Sequence, residues 1–487
     1  MSSNRFPDIP TFRGFNAPSR VESDIFDLEV EGDLPADLNG TFYRCGPDPQ
    51  FPPLLGTDLR FNGDGMVSMF RFRDGHVDFR SRYVRTDKFL LERAARRALF
   101  GAYRNPYTDD LSVAGKFRGT ANTHVMFHDG KLLALKEDSP PVAMNPHTLE
   151  TYGYYNYGGK FTSETFTAHP KIDPHSGEML TFGYAAKGVA TPDLAYYVIG
   201  SDGQIKHEAW LTMPYPAMLH DWVVTEDYVV FPVVPITSDL ERLKRKEVAF
   251  MWDDTKDVFV GVLPRYGKSE DVRWFRTPLR FAAHFLNGFN EGTKIHIDGI
   301  VAEGNLFPFF PDVHGKPFDP KKALARLTRW TIDLSAPDGA FSERILSDVV
   351  GEMPKIDERY ATRKHLHGFM LCQDPERPYI EGKFGFNAVA HINLETDSTS
   401  VYYAGEDCLF QEPVFVPRSP DANEADGYLL VMRNRVSEMA SELLVFDVAT
   451  LTDGPIASVR LPIRLRDAIH GSWVGSDVLP TLELAGN

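Results

Sequence analysis

The chain has 487 residues and a formal net charge of −16, and 43% of its residues are hydrophobic. No run of basic residues dominates the sequence, which excludes a nucleic-acid partner that would have to be bound through its phosphates. The hydrophobic content is enough for a large core, and all-β chains of this length can form one unit. We therefore expect a single domain over residues 1–487.

The cysteines and the N-terminus indicate the compartment. Cys45, Cys372 and Cys408 form no C-x-x-C pair, which argues against a disulfide framework. The first residues lack the apolar core of a signal peptide, and no apolar stretch approaches the roughly 18 residues of a membrane span. We expect a cytoplasmic protein without stable membrane insertion.

The first 60 or so residues are rich in Pro, Asp and Gly and predict an ordered wrapping segment. Beyond it, short alternating or β-branched runs are interrupted by Asp-Gly pairs. Asp-Gly favours the positive φ angles of tight hairpin turns, so each pair predicts two antiparallel strands joined locally. These pairs are Asp74-Gly75, Asp129-Gly130, Asp202-Gly203, Asp298-Gly299, Asp338-Gly339 and Asp426-Gly427.

Only two segments have a helical pattern. Residues 87–100 have the composition and apolar spacing of a helical insertion capped by Thr86 or Asp87, and residues 238–247 form a short charged candidate. The remaining strands and loops predict an all-β fold, which could be a sandwich, a barrel or a propeller. A chain this long without a linker favours a propeller, although no repeat counts its blades.

Four histidines lie in apolar surroundings far apart in the chain: His169, His220, His284 and His470. Four neutral imidazoles without a carboxylate ligand suit a redox-active divalent ion such as iron. Their spacing matches no local metal motif, and any one of them could be an ordinary core histidine. The innermost strands of a propeller converge on its axis, so histidines from different blades could meet there.

An ordered set of motifs spans residues from about 10 to 475 and resembles the carotenoid cleavage oxygenases. The set comprises Phe61-Asn-Gly-Asp-Gly-Met66, Thr120-Ala-Asn-Thr123, Ala168-His-Pro170, His220-Asp221, Leu263-Pro-Arg265, Glu352-x-Pro354, Ile356-Asp357, Glu412-Pro-Val-Phe-Val-Pro417 and His470-Gly471. Within the family the chain is most similar to the lignostilbene dioxygenase branch. That likeness rests on Ala102-Tyr-Arg-Asn-Pro106, Lys136-Glu-Asp-Ser-Pro140 and Leu306-Phe-Pro-Phe-Phe-Pro-Asp-Val-His-Gly315.

The resemblance implies a seven-bladed β-propeller with ferrous iron, Fe(2+), on its axis under a dome of loops and short helices. It implies that the four histidines are the iron ligands, and that Thr123 places its methyl group near an open iron position. It also implies three carboxylate partners for ligands: Glu137 for His220, Glu352 for His284 and Glu412 for His470. A homodimer is expected from the same resemblance.

Lys136 and Tyr103 indicate the substrate. A buried ammonium beside a phenol would be costly next to a pure polyene, but both groups could hydrogen-bond a substrate phenol and favour its phenolate. Phe61 would stack on the same ring. We therefore predict an iron dioxygenase that cleaves the central alkene of lignin-derived or resveratrol-like 4-hydroxystilbenes with O2, giving two aromatic aldehydes. Lys136 and its neighbour Glu137 must then point in different directions.

Three alternatives remain open. The first is an oxygenase of the same family acting on apocarotenoids or on phenylpropenes such as isoeugenol, although the charged residues 241–247 argue against extraction of substrate from a membrane. The second is a non-catalytic propeller that binds partners, which would not need histidines and glutamates at the matched positions. The third, a calcium-dependent lactonase, would need oxygen ligands on the axis instead of imidazoles.

Overall fold

The computed structural model describes residues 5–374 and 385–480, and strands dominate them. The two α-helices in these residues are Asp87–Ala95 and Leu240–Lys244. Short 3-10 turns occupy Gly14–Asn16, Arg60–Asn62, Pro106–Thr108, Leu111–Val113, Tyr157–Gly159, Ser269–Asp271, Glu358–Tyr360 and Val448–Asp453. The predicted all-β class is confirmed. Of the helices in this part of the chain, none combines the length and apolar character that a membrane crossing requires.

Three sheets are consecutive four-stranded antiparallel meanders. Sheet 2 consists of His124–His128, Lys131–Leu135, Val142–Met144 and Thr151–Tyr154. Sheet 3 consists of Lys171–Ile172, Met179–Tyr184, Asp193–Ile199 and Ile205–Thr212. Sheet 4 consists of Val223–Val224, Tyr228–Val233, Val258–Pro264 and Arg273–Thr277. A separate ribbon pairs Ile236–Thr237 with Met251–Trp252.

Sheets 5 and 6 share one long strand. Sheet 5 consists of Phe281–Glu291, Lys294–Ala302, Arg326–Asp333 and Ser342–Lys355. Ser342–Lys355 pairs with Arg326–Asp333 up to Val350, and from Gly351 onward it pairs with the next strand of the chain. Sheet 6 therefore consists of the second half of that strand with His367–Cys372, Ala388–Asn393 and Ser398–Tyr403.

The two ends of the chain meet in sheets 1 and 7. Sheet 1 has the order Ser23–Ile25, His76–Tyr83, Gly65–Arg73, Gly40–Pro47 and His470–Gly475, so a C-terminal strand completes an N-terminal sheet. Sheet 7 has the order Val30–Gly32, Ala457–Arg460, Ala440–Asp447, Gly427–Arg435 and Cys408–Phe410, and Val414–Pro417 also pairs with Gly427–Arg435. Non-local pairing thus joins the ends of the chain.

Apolar side chains bury both faces of the sheets against their neighbours. Separate clusters fill the spaces between sheets 1 and 2, between 2 and 3, between 6 and 7, and between 7 and 1. The largest cluster lies among sheets 3, 4, 5 and 6. Because alternate residues of a strand face opposite sides, one strand serves two clusters: Phe42 packs toward sheet 7 and Tyr43 toward sheet 2. Cys45, Cys372 and Cys408 are free and buried.

The Asp-Gly predictions hold at five of the six positions. At Asp74-Gly75 and Asp129-Gly130 both residues have positive φ, as a tight hairpin turn requires. Asp202-Gly203, Asp338-Gly339 and Asp426-Gly427 also mark connections between paired strands. The turn predicted at Asp298-Gly299 was wrong. Both residues lie inside the strand Lys294–Ala302, where buried Asp298 pairs with Arg329.

The N-terminal segment wraps over a shorter stretch than residues 1–60. Phe12 and Phe15 are buried, and Arg464 and Arg466 donate hydrogen bonds to backbone carbonyl oxygens of this segment. Residues Gly40–Pro47, however, form a fully buried strand inside sheet 1. The single domain over residues 1–487 stays a prediction, and it includes residues 1–4, 375–384 and 481–487, which lie outside the described residues.

The predicted helix over 87–100 ends earlier, at Ala95. Thr86 caps it by accepting a hydrogen bond from the Phe89 N–H, and Arg96 ends it in the left-handed conformation with φ 55°. The Glu92 carboxylate then accepts the N–H groups of Leu99 and Phe100, which folds the chain back on the helix. The second predicted helix, 238–247, is likewise shorter, at Leu240–Lys244.

A buried ion triad fixes the longer helix to the loop that precedes the strand Gly65–Arg73. The Lys88 ammonium lies 2.8 Å from Glu92 and 3.2 Å from Asp64, and all three side chains are buried. These carboxylates raise the pKa of Lys88 although burial alone would lower it. One ammonium thus compensates two buried carboxylates, so its loss would leave both of them without a cation in this triad.

We predict that Lys88→Met destabilises the protein by about 3–5 kcal/mol, because it leaves two buried carboxylates without their cation. Denaturant unfolding followed by circular dichroism measures the change. Lys187→Met is the matched control, since that lysine pairs with Asp193 on the exposed surface and should contribute little. Equal effects of the two substitutions would contradict a special contribution of the triad.

Candidate metal centre

The four histidines singled out from the sequence lie on or just before the edge strands of four different sheets. His284 lies on Phe281–Glu291 and His470 begins His470–Gly475, and both strands are at the edge of their sheet. His169 and His220 lie in loops just before the edge strands Lys171–Ile172 and Val223–Val224. Each histidine is therefore positioned by an edge strand, and the four edges meet at one place.

The imidazole rings converge closely. One nitrogen from each of the four residues lies within 4.8 Å of the others. The Nε2 atom of His220 is 3.2 Å from that of His169 and 3.0 Å from that of His284. The centre of the His470 ring lies 4.6 Å from that of His169 and 5.1 Å from that of His284. All but His220, which is half-buried, are buried.

Three glutamates bind the outer nitrogens of three of these rings. His284 Nδ1 lies 2.7 Å from Glu352 and His470 Nδ1 lies 2.7 Å from Glu412. His220 Nδ1 hydrogen-bonds Glu137. These are the same pairs that were named from the sequence. An ionised carboxylate can only accept, so each Nδ1 carries a proton and each Nε2 is the atom turned toward the other rings.

Ionised carboxylates are maintained behind the rings in spite of burial. Burial alone would raise the pKa of Glu137, but His220, Arg104 and Lys136 lower it to about 2. Burial would likewise raise the pKa of Glu412, and Lys355 and His470 lower it instead. Permanent negative charge at these positions makes the attached imidazoles more basic ligands.

His169 is positioned by the backbone. Its N–H donates to Thr167 Oγ1 over 2.9 Å, and Trp222 Nε1 donates to its carbonyl oxygen over 2.8 Å. No carboxylate contact of its ring is found in the described residues. Burial, followed by the charges of His470 and His220, lowers the pKa of His169 well below its usual value, which favours the neutral form of this ring.

These residues fit a transition-metal ion. The Nε2 atoms of His220 and His284 face each other at 3.0 Å, and that of His220 also lies 3.2 Å from the Nε2 of His169. The buried Nε2 of His470 has no hydrogen-bond partner among the described residues. Unpaired buried polar atoms are costly, and a cation at their centre would satisfy them together. Four imidazoles suit iron, copper, nickel or zinc, while calcium and magnesium prefer oxygen ligands.

Lys136 and Glu137 do point in different directions. The strand Lys131–Leu135 ends just before them, so the alternation of a strand no longer applies. Lys136 Nζ donates to the Phe61 carbonyl oxygen over 2.9 Å and lies 4.9 Å from the centre of the Tyr103 ring. Glu137 faces His220 and accepts a hydrogen bond from the Tyr184 hydroxyl at 3.1 Å.

The predicted substrate residues form one aromatic and basic wall. The Phe61 ring lies 6.4 Å from the Tyr103 ring and 5.4 Å from the Phe309 ring, between their centres. Burial lowers the pKa of Lys136, although Asp138 and Glu137 oppose this change. Burial and the charge of Glu137 raise the pKa of Tyr103 well above its usual value. The wall therefore combines an amine that loses its proton more easily with a phenol that keeps its proton.

Thr123 lies between this wall and the histidines. Its carbonyl oxygen accepts the His470 N–H at 3.2 Å, and its hydroxyl donates to Asn122 Oδ1 over 3.1 Å. Asn122 in turn donates to the carbonyl oxygens of Phe61 and Gly63 over 2.8 and 2.7 Å. One chain of contacts thus connects a candidate ligand with the aromatic wall.

The sequence reasoning missed four residues that contact this network. Arg104 lies 3.9 Å from Glu137, and Lys355 lies 3.4 Å from Glu412. Tyr184 donates to Glu137, and the His124 ring packs beside two of the four histidines. Arg104, His124 and Lys355 are inside or next to recognised motifs, which was an available signal. Tyr184 lies in an ordinary buried strand and gave none.

Comparison with known proteins places this chain among oxygenases. The family described as Retinal pigment epithelial membrane protein matches residues 16–475. Lignostilbene-alpha,beta-dioxygenase isozyme III of Sphingomonas paucimobilis is 48% identical over 484 residues, covering 98% of this chain and 99% of that protein. Isoeugenol monooxygenase of Pseudomonas nitroreducens is 46% identical over 470 residues, covering 96% and 98%. The crystal structure of Pseudomonas brassicacearum lignostilbene dioxygenase superposes with a TM-score of 0.94 at 47% identity, covering 97% of this chain and 100% of that one.

We predict that Glu352→Gln lowers the affinity for Co(II) by about 10–100-fold, because a neutral amide makes the His284 imidazole a poorer ligand. Titration of metal-free protein with Co(II), followed by its visible absorbance, measures the affinity. Glu343→Gln on the same strand is the control, since Glu343 pairs with Arg280 at the surface. An affinity unaffected by Glu352→Gln would show that this carboxylate does not support a ligand.

Proposed function

The chain belongs to the family of the retinal pigment epithelial membrane protein, and from this premise we propose that it is an iron(II) dioxygenase of 4-hydroxystilbenes. It would cleave the central alkene with O2 and release two aromatic aldehydes. The observation that carries the proposal is the four-histidine cluster, three of whose rings hydrogen-bond Glu137, Glu352 and Glu412. Lys136, which precedes Glu137 in the chain, supplies an amine close by. The similarity to a lignostilbene dioxygenase supports the same reaction.

We infer that the sheets are the seven blades of a β-propeller. Sheets 1 to 7 follow one another along the chain, and apolar clusters join each to the next and sheet 7 back to sheet 1. The histidines lie on or beside edge strands, which would be the innermost strands around the axis. The helices and the loops carrying Phe61 and Tyr103 would form the dome over the metal centre.

Ferrous iron is the ion we propose for His169, His220, His284 and His470. When bound, it would supply the redox chemistry with O2 that protein side chains lack. The four histidines would hold the ion through their Nε2 atoms, and the glutamates fix the position of the Nδ1 proton on three of the rings. Thr123, which contacts the backbone of His470, stays our candidate for the residue that borders an open position.

Lys136 and Tyr103 would bind the hydroxyl of the substrate phenol. Because burial lowers the pKa of Lys136, the unprotonated amine that can accept the phenol proton forms more easily than in a free lysine. The ammonium so formed holds the phenolate oxygen, and Tyr103 keeps its own proton and can donate a hydrogen bond to that oxygen. The phenolate pushes electron density through the ring onto an alkene in the para position. Each alkene carbon ends as an aldehyde carbon with one oxygen atom from O2.

A phenylpropene such as isoeugenol is a second candidate substrate, because the isoeugenol monooxygenase is nearly as similar to this chain. The wall of Lys136, Tyr103 and Phe61 would serve any phenol with a para alkene, so it favours both candidates over apocarotenoids. A non-catalytic binding module leaves the converging imidazoles unexplained. The homodimer and the cytoplasmic location stay predictions.

We expect the purified protein with bound iron to bleach 4-hydroxystilbenes in air faster than it consumes isoeugenol, because a second ring adds apolar contacts. Loss of stilbene absorbance and chromatography of the aldehydes measure this. His220→Ala should lose iron and activity together, since the half-buried ring contributes a nitrogen to the cluster. Faster turnover of isoeugenol would reverse the substrate order, and an active His220→Ala protein would refute the ligand assignment.

We expect Lys136→Ala to reduce turnover of 4-hydroxystilbene by about 100-fold or more while the iron content stays normal, because the proton acceptor is lost. Steady-state rates and iron analysis test this. Lys131→Ala, at the start of the strand that ends just before Lys136, is the control and should behave like the unmodified protein. If Lys136→Ala retained full activity, the phenolate step would be wrong although the iron centre could stand.

A further inference from the structure

A large cavity extends from the surface to the four-histidine cluster. Its volume is about 430 Å³, and strands of all seven sheets contribute to its lining, for example through Met126, Val223 and Trp473. His169 and His284 line its inner end, and the exposed residues Glu358 and Val478 line it at the surface. Phe61, Tyr103, Lys136 and Thr123 are not part of this lining. The lining of this cavity is therefore distinct from the aromatic wall.

A fifth histidine, His124, lines the inner part of this cavity. Its ring centre lies 5.5 Å from that of His470 and 6.0 Å from that of His169. Its Nδ1 lies 2.8 Å from the Ala168 carbonyl oxygen, which can only accept, so Nδ1 carries the proton. Its Nε2 therefore keeps a lone pair, and this buried atom has no hydrogen-bond partner among the described residues. One ring nitrogen thus anchors His124 to the backbone beside His169, while the other presents a lone pair that a cation could use.

We propose that this cavity is the path by which the metal ion reaches the four-histidine centre, and that His124 Nε2 is a transient ligand at its inner end. The inference rests on the proposed metal centre. An ion cannot cross an apolar wall without ligands, because the cost of losing its hydration is too large. His124 would offer one nitrogen to the incoming ion, and His169 and His470, whose rings lie beside it, would then take the ion over.

The size and charge of the cavity suit a hydrated cation. Six water molecules occupy about 180 Å³ at about 30 Å³ each, which is well below the cavity volume. Two lysines line the cavity, but each is paired with a carboxylate: Lys171 lies 2.8 Å from Asp221, and Lys355 lies 3.4 Å from Glu412. Their positive charges are therefore balanced where the ion would pass.

The kinetics of Co(II) exchange test the path independently of turnover. Metal-free full-length protein is mixed with Co(II), and the visible absorbance gives the rate of uptake; excess chelator then gives the rate of release. For His124→Phe we expect both rates to fall about tenfold, which corresponds to a barrier about 1.4 kcal/mol higher, with equilibrium affinity unchanged. Ile172→Trp, which narrows the cavity without altering His124, should also slow both rates.

His128→Phe is the matched control, because His128 is a buried histidine on the same strand whose ring nitrogens also lack partners among the described residues. It should exchange Co(II) at the unmodified rate. Saturation with a 4-hydroxystilbene, which would occupy the aromatic wall, should leave uptake unchanged.

Unchanged rates in both His124→Phe and Ile172→Trp would overturn the path, as would equal slowing by His128→Phe or block of uptake by the stilbene. Faster release with unchanged uptake in His124→Phe would mean that the ring only supports the ligands, which also overturns the path. If the unmodified protein failed to bind Co(II), the metal centre and the path would fall together. Normal affinity with unchanged rates in the variants would refute the path alone.

Discussion

The hydrogen bonds between glutamates and histidines are the constraint on which the centre depends. Each one fixes a proton on Nδ1 and so turns Nε2 inward, where one nitrogen from each of the four rings lies within 4.8 Å of the others. The glutamates are far from their histidines in the chain: Glu352 is at the shared strand of sheets 5 and 6, whereas His284 is at the edge of sheet 5. The tautomers are therefore a property of the assembled sheets, and no single hairpin can produce them.

The cost of burying these carboxylates connects the centre to the rest of the core. Glu137 accepts from His220 and Tyr184 and has the Arg104 guanidinium 3.9 Å away, while Glu412 accepts from His470 and the Gly471 N–H and has Lys355 nearby. A buried polar network is stable only when nearly all its members are satisfied. Loss of one outer partner would therefore disturb the ligands as well as the local packing.

The sequence was informative where a local rule or a family motif applied. The Asp74 and Asp129 turns follow from backbone preference alone, and the four histidines could be chosen from fifteen because the surrounding motifs match a known family. The rule failed at Asp298, because burial with Arg329 and His365 holds that residue inside a strand. Contacts such as Tyr184 with Glu137, or His124 beside His470, join distant segments and leave no pattern that spacing could reveal.

The end of the strand Lys131–Leu135 has a consequence for chemistry. If the strand continued, Lys136 and Glu137 would also face opposite sides of the sheet, but hydrogen bonds to the neighbouring strands would then fix the backbone of both residues. Here the chain leaves the sheet at Leu135, so the amine and the carboxylate are held by their contacts with Phe61 and His220 instead. One peptide unit thus joins the group that would ionise the phenol to the group that tunes a ligand. The placement of the amine and that of the carboxylate therefore depend on the same short stretch of backbone.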